Sequence, residues 1–144
     1  VRHVMQVEPI RIIIDSNLWV SFLISRKDNY LKKLLTDERF LILFSDQLFL
    51  ELEDVLNRPK FRKVFGHNRI ESFLSILRLH VNTIVTFSKV NICRDPDDDF
   101  LFDLAKDGKA DYLITGDNDL LVIERFLQCR VIKLSEFQKL IESE

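Results

Sequence analysis

The sequence predicts an α/β protein in which a mostly parallel central sheet lies between two layers of helices, a three-layer α/β/α sandwich. Short, mostly apolar runs such as Ile10–Ile14 and Phe40–Phe44 are typical of strands buried on both faces. Stretches with apolar residues three or four positions apart separate these runs, which indicates β-α-β connections. No Gly- or Ser-rich linker or repeat interrupts this alternation. We therefore expect a single domain over residues 1–144, with residues 1–9 as a loose leader.

The first half of the chain has the pattern of two strands and four helices. The two apolar runs named above are the strands, and apolar residues at helical spacing follow each of them. Ser45 is a good N-cap for the helix after the second strand, and Pro59 is a good stop for it. The other helices are expected near residues 18–23, near residues 31–35, and from Asn68, as a cap, to residue 81.

The second half has three strand-like runs, at residues 83–87, 112–115 and 130–134, of which the first is expected to be an outlying strand. Asp95 and Pro96 begin a helix between the first two runs, because Pro is favoured in the first turn. A helix over residues 118–126 is expected before the last strand. Ser135 is expected to cap a final amphipathic helix.

Acidic residues follow four of the predicted strands. Asp15 comes directly after the first, Glu51 lies on the helix after the second, a cluster at residues 95–99 follows the third, and Asp117 follows the fourth. Ligands of parallel α/β sheets bind beyond the carboxyl ends of the strands. Carboxylates brought together there repel one another unless a cation lies among them. The pattern therefore indicates a divalent-metal site and a metal-dependent enzyme.

Each acidic position also has a purely structural interpretation. Asp15 and Asp117 are good N-caps for the helices that follow them, and the same holds for Asp119. Glu51 flanks the buried stripe of its helix on one side and Glu53 on the other, so periodicity does not choose between them. These alternatives stay open at this point.

The cluster at residues 95–99 has more carboxylates than the dipole of a helix beginning there requires. Asp98 precedes Leu101 by three positions, which places it at the upper end of the buried stripe. Asp99 remains the alternative to Asp98, and a solvated acidic turn is the alternative for the whole cluster.

A basic stretch with interleaved aromatic residues follows the Glu51 helix. Lys and Arg bind phosphates, and Phe can stack on unpaired bases, so this stretch is a candidate nucleic-acid contact. A solvated helix face with its Phe residues in the core explains the pattern equally well. The basic candidates are Arg58, Lys60, Arg62 and Lys63.

Composition excludes several classes of protein. The net charge of −2 gives no overall basic signal for nucleic acid. Two cysteines are too few for a disulfide framework or a zinc site, which favours a reducing, cytoplasmic setting. The apolar runs are far shorter than the ~20 residues that a membrane-spanning helix needs, so no membrane association is expected. Phosphate-binding loops, dinucleotide-binding glycines, zinc-peptidase motifs and serine-hydrolase elbows are absent.

The order and surroundings of the acidic residues resemble the PIN-domain nucleases, in particular the small stand-alone toxins of type II toxin–antitoxin systems. The resemblance runs from about residue 10 to the end of the chain, and it is weaker at about residues 25–40 and 66–91. The matching stretches are Ile12-Ile13-Ile14-Asp15-Ser16-Asn17, residues 51–61 from Glu51 to Phe61, Arg94-Asp95-Pro96-Asp97-Asp98-Asp99, and residues 110–121 around Thr115-Gly116-Asp117-Asn118-Asp119.

The resemblance implies a metal-dependent ribonuclease with Mg²⁺ or Mn²⁺ as its cofactor and RNA as its substrate. It also implies an antitoxin protein as a partner and a homodimer or higher homo-oligomer. The residues that it assigns are, for holding the metal, Asp15, Glu51, Asp98 and Asp117, with Asp119 and Asp99 beside them, and, as supporting groups, Asn17, Ser16 and Thr115.

Two other functions stay open. A phosphoryl-transfer domain, either a receiver or a haloacid-dehalogenase-like phosphatase, also places an Asp after its first strand. The phosphatase normally has a second Asp where this chain has Asn17, and the receiver needs a later strand-end Lys. A non-catalytic partner-binding module is the third possibility. The apolar residues at 70–81 and 126–134 would then form an interface rather than core.

Overall fold

A computed structural model describes residues 8–25 and 28–142. Most of the predicted leader, residues 1–7, lies outside the described residues, so that expectation stays a prediction. The elements are β1 (Ile10–Ile14), α1 (Ser16–Ile24), α2 (Asp28–Thr36), β2 (Phe40–Phe44), α3 (Asp46–Leu56), α4 (Pro59–Phe65), α5 (His67–His80), β3 (Asn82–Thr83), a 3-10 turn (Pro96–Asp98), α6 (Phe100–Asp107), β4 (Tyr112–Ile114), α7 (Asn118–Leu121), β5 (Arg125–Phe126), β6 (Cys129–Ile132) and α8 (Leu134–Glu142).

The strands of the described residues form one sheet in the order β3-β2-β1-β4-β6-β5. All neighbours pair in parallel except the edge strand β5, which is antiparallel to β6. The predicted α/β fold with a mostly parallel sheet is therefore confirmed. From the β1–β4 pair, the chain adds β2 and β3 on one side and β6 and β5 on the other. The topological switch point thus lies at the carboxyl ends of these two strands, where ligands of such sheets bind.

The central position of β1 follows from its composition. Ile12, Ile13 and Ile14 are fully buried, which suits β-branched side chains in a strand covered on both faces. Burial of each such side chain contributes roughly 1.5–3 kcal/mol. On α1, the fully buried Trp19 packs against Phe44 at the end of β2, with ring centroids 5.8 Å apart. These contacts fix the end of β1, and with it the position of the next residue, Asp15.

The largest difference from the predicted elements is at residues 83–87. Only Asn82 and Thr83 pair with β2, and residues 84–95 have no regular structure. The backbone N–H groups of Phe87 and Ser88 donate to the carboxylate of Asp107 on α6, at 2.7 and 2.9 Å. The Ile84 N–H still donates to the carbonyl of Phe44 in β2 at 2.7 Å, whereas the N–H groups of Phe87 and Ser88 bond to a side chain, so the expected strand ends early.

The prediction of a helix over residues 118–126 is also wrong beyond Leu121, where α7 ends. Glu124 has φ +63°, in the left-handed region, which cannot continue a right-handed helix. The chain instead returns as β5 and pairs with β6. The last strand accordingly spans Cys129–Ile132 rather than residues 130–134, and Ser135 lies inside α8 rather than capping it.

Helix boundaries in the middle of the chain differ by a few residues. Ser45 caps α3 as predicted, since its side chain accepts a hydrogen bond from the Leu48 N–H at 3.2 Å. Pro59 begins a separate helix, α4, at a position where its missing N–H costs nothing. Gly66, with φ +78°, separates α4 from α5, so α5 starts at His67. No helix in the part of the chain that the structure describes is both long and apolar enough to cross a membrane.

Candidate active site

Asp15 lies at the switch point, directly after β1. It is only 7% exposed, and its own N–H donates to the carbonyl of Ile114 at 3.0 Å. The β1–β4 register places Ile14 opposite Ile114, so Asp15 is level with Thr115. The Thr115 hydroxyl donates to Oδ2 of Asp15 at 2.8 Å and accepts the Asp117 N–H at 3.0 Å. One threonine therefore links two of the predicted acidic residues.

Glu51 is brought to the same place by α3. The Ser16 hydroxyl donates to Oε2 of Glu51 at 2.8 Å, while Oδ1 of Asp15 is 3.5 Å from the same hydroxyl. Because a hydroxyl has a single proton, the shorter contact, with Glu51, is the main hydrogen bond. Glu53, the other candidate on α3, is instead 3.9 Å from the guanidinium of Arg78. The Ser16 hydroxyl thus lies between the carboxylates of Glu51 and Asp15.

Asp98 is at the end of the 3-10 turn that precedes α6. Asp95 caps this turn by accepting the Asp97 N–H at 3.0 Å. Burial, followed by the negative charges of Asp95, Asp117, Asp15 and Glu51, raises the pKa of Asp98 to about 6. Carboxylates from four separate segments of the chain are therefore close enough for their charges to disfavour ionisation of this group.

Burial also raises the pKa of Asp15, and the charge of Asp117 adds to the effect. The pKa of Glu51 is likewise raised, first by burial and then by the charge of Asp15. None of the ion pairs found among the described residues includes Asp15, Glu51, Asp98 or Asp117. The cluster of these four carboxylates, here called the acid cluster, has a charge that no direct cation partner in the described residues neutralises.

Asp99 has a different environment from its neighbour Asp98. Its buried carboxylate accepts the N–H groups of Ile92 and Cys93, at 3.1 and 2.8 Å. These hydrogen bonds hold the pKa of Asp99 below its usual value. Asp98 is thus the one of the two whose charge is coupled to the other acidic residues, and Asp99 holds the preceding segment of backbone.

Asp117 and Asp119 lie at the start of α7. Asp117 caps that helix by accepting the Asp119 N–H at 2.9 Å, so the capping interpretation holds alongside the acidic one. The Asp119 side chain is half-exposed and 3.6 Å from Arg94. Asn17 is exposed at the start of α1 and lines, with Asp15, Gly116 and Asp117, a cleft of about 430 Å³.

The predicted basic residues divide into two groups. Arg58 precedes α4 and lies 3.9 Å from Asp54. Its positive charge partly offsets the burial and negative charge that raise the pKa of Glu51. Lys60, with its amine over the ring of Phe61, is exposed on α4 together with Arg62 and Lys63. Of this stretch, Arg58 is the residue whose charge is found to act on Glu51 of the acid cluster.

Sequence reasoning did not single out Gln47 or Lys89. Both line a second cleft, of about 440 Å³, together with Glu51, Asp97 and Asp99. Gln47 is one helical turn before Glu51, and this spacing is a signal that marks residues on the same face. Lys89 had no such signal, because it lies between the strand expected at residues 83–87 and the acidic cluster at residues 95–99, where no periodicity marks a face.

The acid cluster was tested for its fit to a divalent ion. As they stand, the described residues contain no group of three or more Asp, Glu, His or Cys side chains arranged to hold an ion. The chemistry nevertheless fits one: all donors are oxygen atoms, which suit Mg²⁺ and Mn²⁺, and burial together with neighbouring negative charges raises the pKa values of Asp15, Glu51 and Asp98, which indicates a deficit of positive charge. A hard cation would remove that deficit.

Comparisons with known proteins agree with this fold. A family model described as a PIN domain matches residues 11–119. The uncharacterized protein MJ1680 of Methanocaldococcus jannaschii is 31% identical over 115 residues, which are 78% of this chain and 74% of that protein. The crystal structure of VapC20 of Mycobacterium tuberculosis, a toxin that cleaves the sarcin–ricin loop, superposes with a TM-score of 0.53 at 14% identity. It covers 83% of this chain and 98% of that one.

Proposed function

The chain belongs to the PIN domain family, and we propose that it is a metal-dependent endoribonuclease that hydrolyses RNA phosphodiester bonds. The observation that carries the proposal is the acid cluster at the switch point. There, the charges of Asp117, Asp15 and Glu51 act on Asp98 and contribute to its raised pKa. The similarity in fold to a toxin that cleaves an RNA loop supports RNA as the substrate.

The proposed cofactor is Mg²⁺ or Mn²⁺, held by the acid cluster (Asp15, Glu51, Asp98 and Asp117). An ion bound there supplies positive charge for the phosphodiester and acidifies water for hydrolysis. The residues of the chain set the conditions for this chemistry. Thr115 and Ser16 hold the carboxylate oxygens of Asp15 and Glu51 in place, and such outer hydrogen bonds fix the orientation of metal ligands.

The remaining predicted residues have supporting roles in this proposal. Asp119 acts through its N–H, which orients the carboxylate of Asp117. Asp99 acts through the backbone that it holds at Ile92 and Cys93. Asn17 lines the cleft beside Asp15, where its amide is available to a bound water or substrate. The proposed setting is the cytoplasm, where the free Cys93 and Cys129 stay reduced.

The test of this proposal is RNA cleavage by purified protein with Mg²⁺, Mn²⁺ or EDTA. Asp15→Asn and Asp117→Asn should each lower cleavage by a factor of at least about 10³, because each removes a charge at the reacting centre. Glu71→Gln, an exposed substitution on α5 outside the cluster, is the control and should cleave like the wild type. Full activity in a folded Asp117→Asn protein would remove the acid cluster from the mechanism.

We also propose that this protein is the toxin of a toxin–antitoxin pair and forms a homodimer. The expectation that the apolar residues at 70–81 form an interface rather than core is wrong for the buried Ile70, Phe73, Leu74 and Leu77. Ile76 and Leu79 on the same helix are 50% and 82% exposed and are available for a partner. Expression should arrest bacterial growth, and Asp117→Asn should relieve the arrest. A monomeric molar mass measured by light scattering would contradict the proposed homodimer. A folded chain that cleaves no RNA yet co-purifies with a small partner would instead favour a non-catalytic binding module.

A further inference from the structure

Three carboxylates, that of Asp99 at the N-cap of α6 and those of Asp103 and Asp107 within it, accept hydrogen bonds from the backbone of residues 87–93. Asp99, Asp103 and Asp107 are spaced four residues apart, which places them in a row along the helix. Asp107 accepts the N–H groups of Phe87 and Ser88, Asp103 accepts that of Val90 at 2.7 Å, and Asp99 accepts those of Ile92 and Cys93. We call Asp99, Asp103 and Asp107 the carboxylate row.

The carboxylate row fixes the backbone on both sides of Lys89. The N–H of Ser88 is held by Asp107 at 2.9 Å and that of Val90 by Asp103 at 2.7 Å, so residue 89 is between two anchored peptide groups. Hydrogen bonds to a charged acceptor are the stronger kind, which makes this segment a firm support. This backbone is already ordered in the folded protein, so a ligand that binds beside it does not have to pay the conformational entropy of ordering it.

Lys89 is thereby placed in the cleft that contains Glu51. Its side chain is exposed, and in the described part of the chain no carboxylate pairs with its amine. Arg58, the other cation near Glu51, has Asp54 as a neighbour at 3.9 Å. A cation without a partner beside an acidic site is suited to the negative group that the site must attract, an RNA phosphate.

We propose that Lys89 binds a phosphate of the RNA strand next to the acid cluster and so positions the substrate for cleavage. This inference rests on the proposed function and extends it to a named substrate contact. The acid cluster itself repels the phosphate backbone. The positive charge of Lys89 offsets that repulsion at the adjacent cleft. The carboxylate row keeps Lys89 in this position by binding the backbone on both sides of it.

The experiment measures binding of a fluorescein-labelled single-stranded RNA of mixed sequence, in EDTA so that no cleavage occurs, over a range of KCl concentrations. For Lys89→Ala we expect about tenfold weaker binding, as for the loss of one charged hydrogen bond. The slope of log Kd against log salt should fall by about 0.7, the value for one phosphate contact with a single strand. Lys89→Arg should keep the wild-type slope.

Lys139→Ala is the control, because α8 packs with Phe137 against Phe40 and Tyr112, at the amino ends of their strands and away from the acid cluster. An unchanged slope in Lys89→Ala, or wild-type protein that binds RNA without salt dependence, would overturn the inference. Cleavage kinetics with Mn²⁺ separate it from the proposed function. Lys89→Ala should raise KM and leave kcat nearly unchanged. A wild-type chain that binds RNA but never cleaves it contradicts only the proposed function.

Discussion

At the scale of single residues, the position of the acid cluster depends on hydroxyl groups that carry no charge themselves. Thr115 is 1% exposed, donates to Asp15 and accepts from the Asp117 backbone. A motif search that looks for acidic residues gives Thr115 little weight. The resemblance to a family named Thr115 as a supporting group, but its link between Asp15 and Asp117 becomes visible only when the register of β1 against β4 places it beside Asp15.

Thr115→Val keeps the shape of this side chain and removes both hydrogen bonds. Asp15 then loses the hydrogen bond that offsets burial, and we expect the variant to bind Mn²⁺ about 10–100-fold more weakly, as for other outer partners of metal ligands. Calorimetric titration with Mn²⁺ measures this. Thr36→Val, whose exposed hydroxyl bonds only to the Lys32 carbonyl, is the control. Equal affinity in wild type and Thr115→Val would show that the hydroxyl does not orient the site.

The pKa of Asp98, raised to about 6, predicts how the stability of the metal-free protein depends on pH. A group whose pKa is higher in the folded state contributes stability below its unfolded value of 3.8, and this is lost as pH rises through about 6. The raised pKa values of Asp15 and Glu51 act in the same direction. Asp99, whose pKa is lowered, opposes them only at lower pH, when it takes up a proton.

In EDTA, we therefore expect the melting temperature of the wild type to rise as pH falls from 7 to 5. Asp98→Asn should melt higher than the wild type at pH 7, because it removes like-charge repulsion, and should respond less to pH. Thermal unfolding followed by circular dichroism measures both effects. A wild-type melting temperature that falls as the pH is lowered from 7 to 5 would contradict the proposed repulsion within the cluster.

At the scale of elements, long apolar runs were easier to predict than segments organised by side chains. Residues 10–14 and 40–44 agree with the structure because burial of apolar residues decides their conformation. Residues 83–87 look like a strand, but the carboxylate row accepts the N–H group of Phe87 and four of those that follow it, up to Cys93. These carboxylates lie outside the segment whose N–H groups they accept, so the pattern of apolar residues within that segment cannot predict the contacts. The left-handed backbone of Glu124 is a similar case.

Asp107→Ala tests the carboxylate row as a structural element. It leaves the N–H groups of Phe87 and Ser88 without their acceptor and should destabilise the protein by about 1–2 kcal/mol. Asp107→Asn keeps a carbonyl acceptor and should lose less. Urea unfolding gives both values. A loss below about 0.5 kcal/mol in Asp107→Ala would indicate that the segment is held by its other contacts.

At the scale of the whole molecule, the site depends on strand order. Asp15 and Thr115 are 100 residues apart in sequence and meet because β1 and β4 are neighbours. Alternation of helices and strands predicted the class of fold, and the similarity of sequence to PIN-domain nucleases predicted which acidic residues belong together. Neither contains the distances between them. The choice of Asp98 over Asp99 likewise depends on hydrogen bonds that only the folded chain makes.

The most direct test of the central claim, a metal site formed by the acid cluster, is thermal unfolding of purified wild-type and Asp117→Asn protein in EDTA, Mg²⁺ and Mn²⁺. An ion present at about 100 times its Kd should stabilise the wild type by about 2.7 kcal/mol. We predict a rise in melting temperature with Mn²⁺ or Mg²⁺ that Asp117→Asn loses. No rise in the wild type at millimolar metal, or an equal rise in both proteins, would contradict the account.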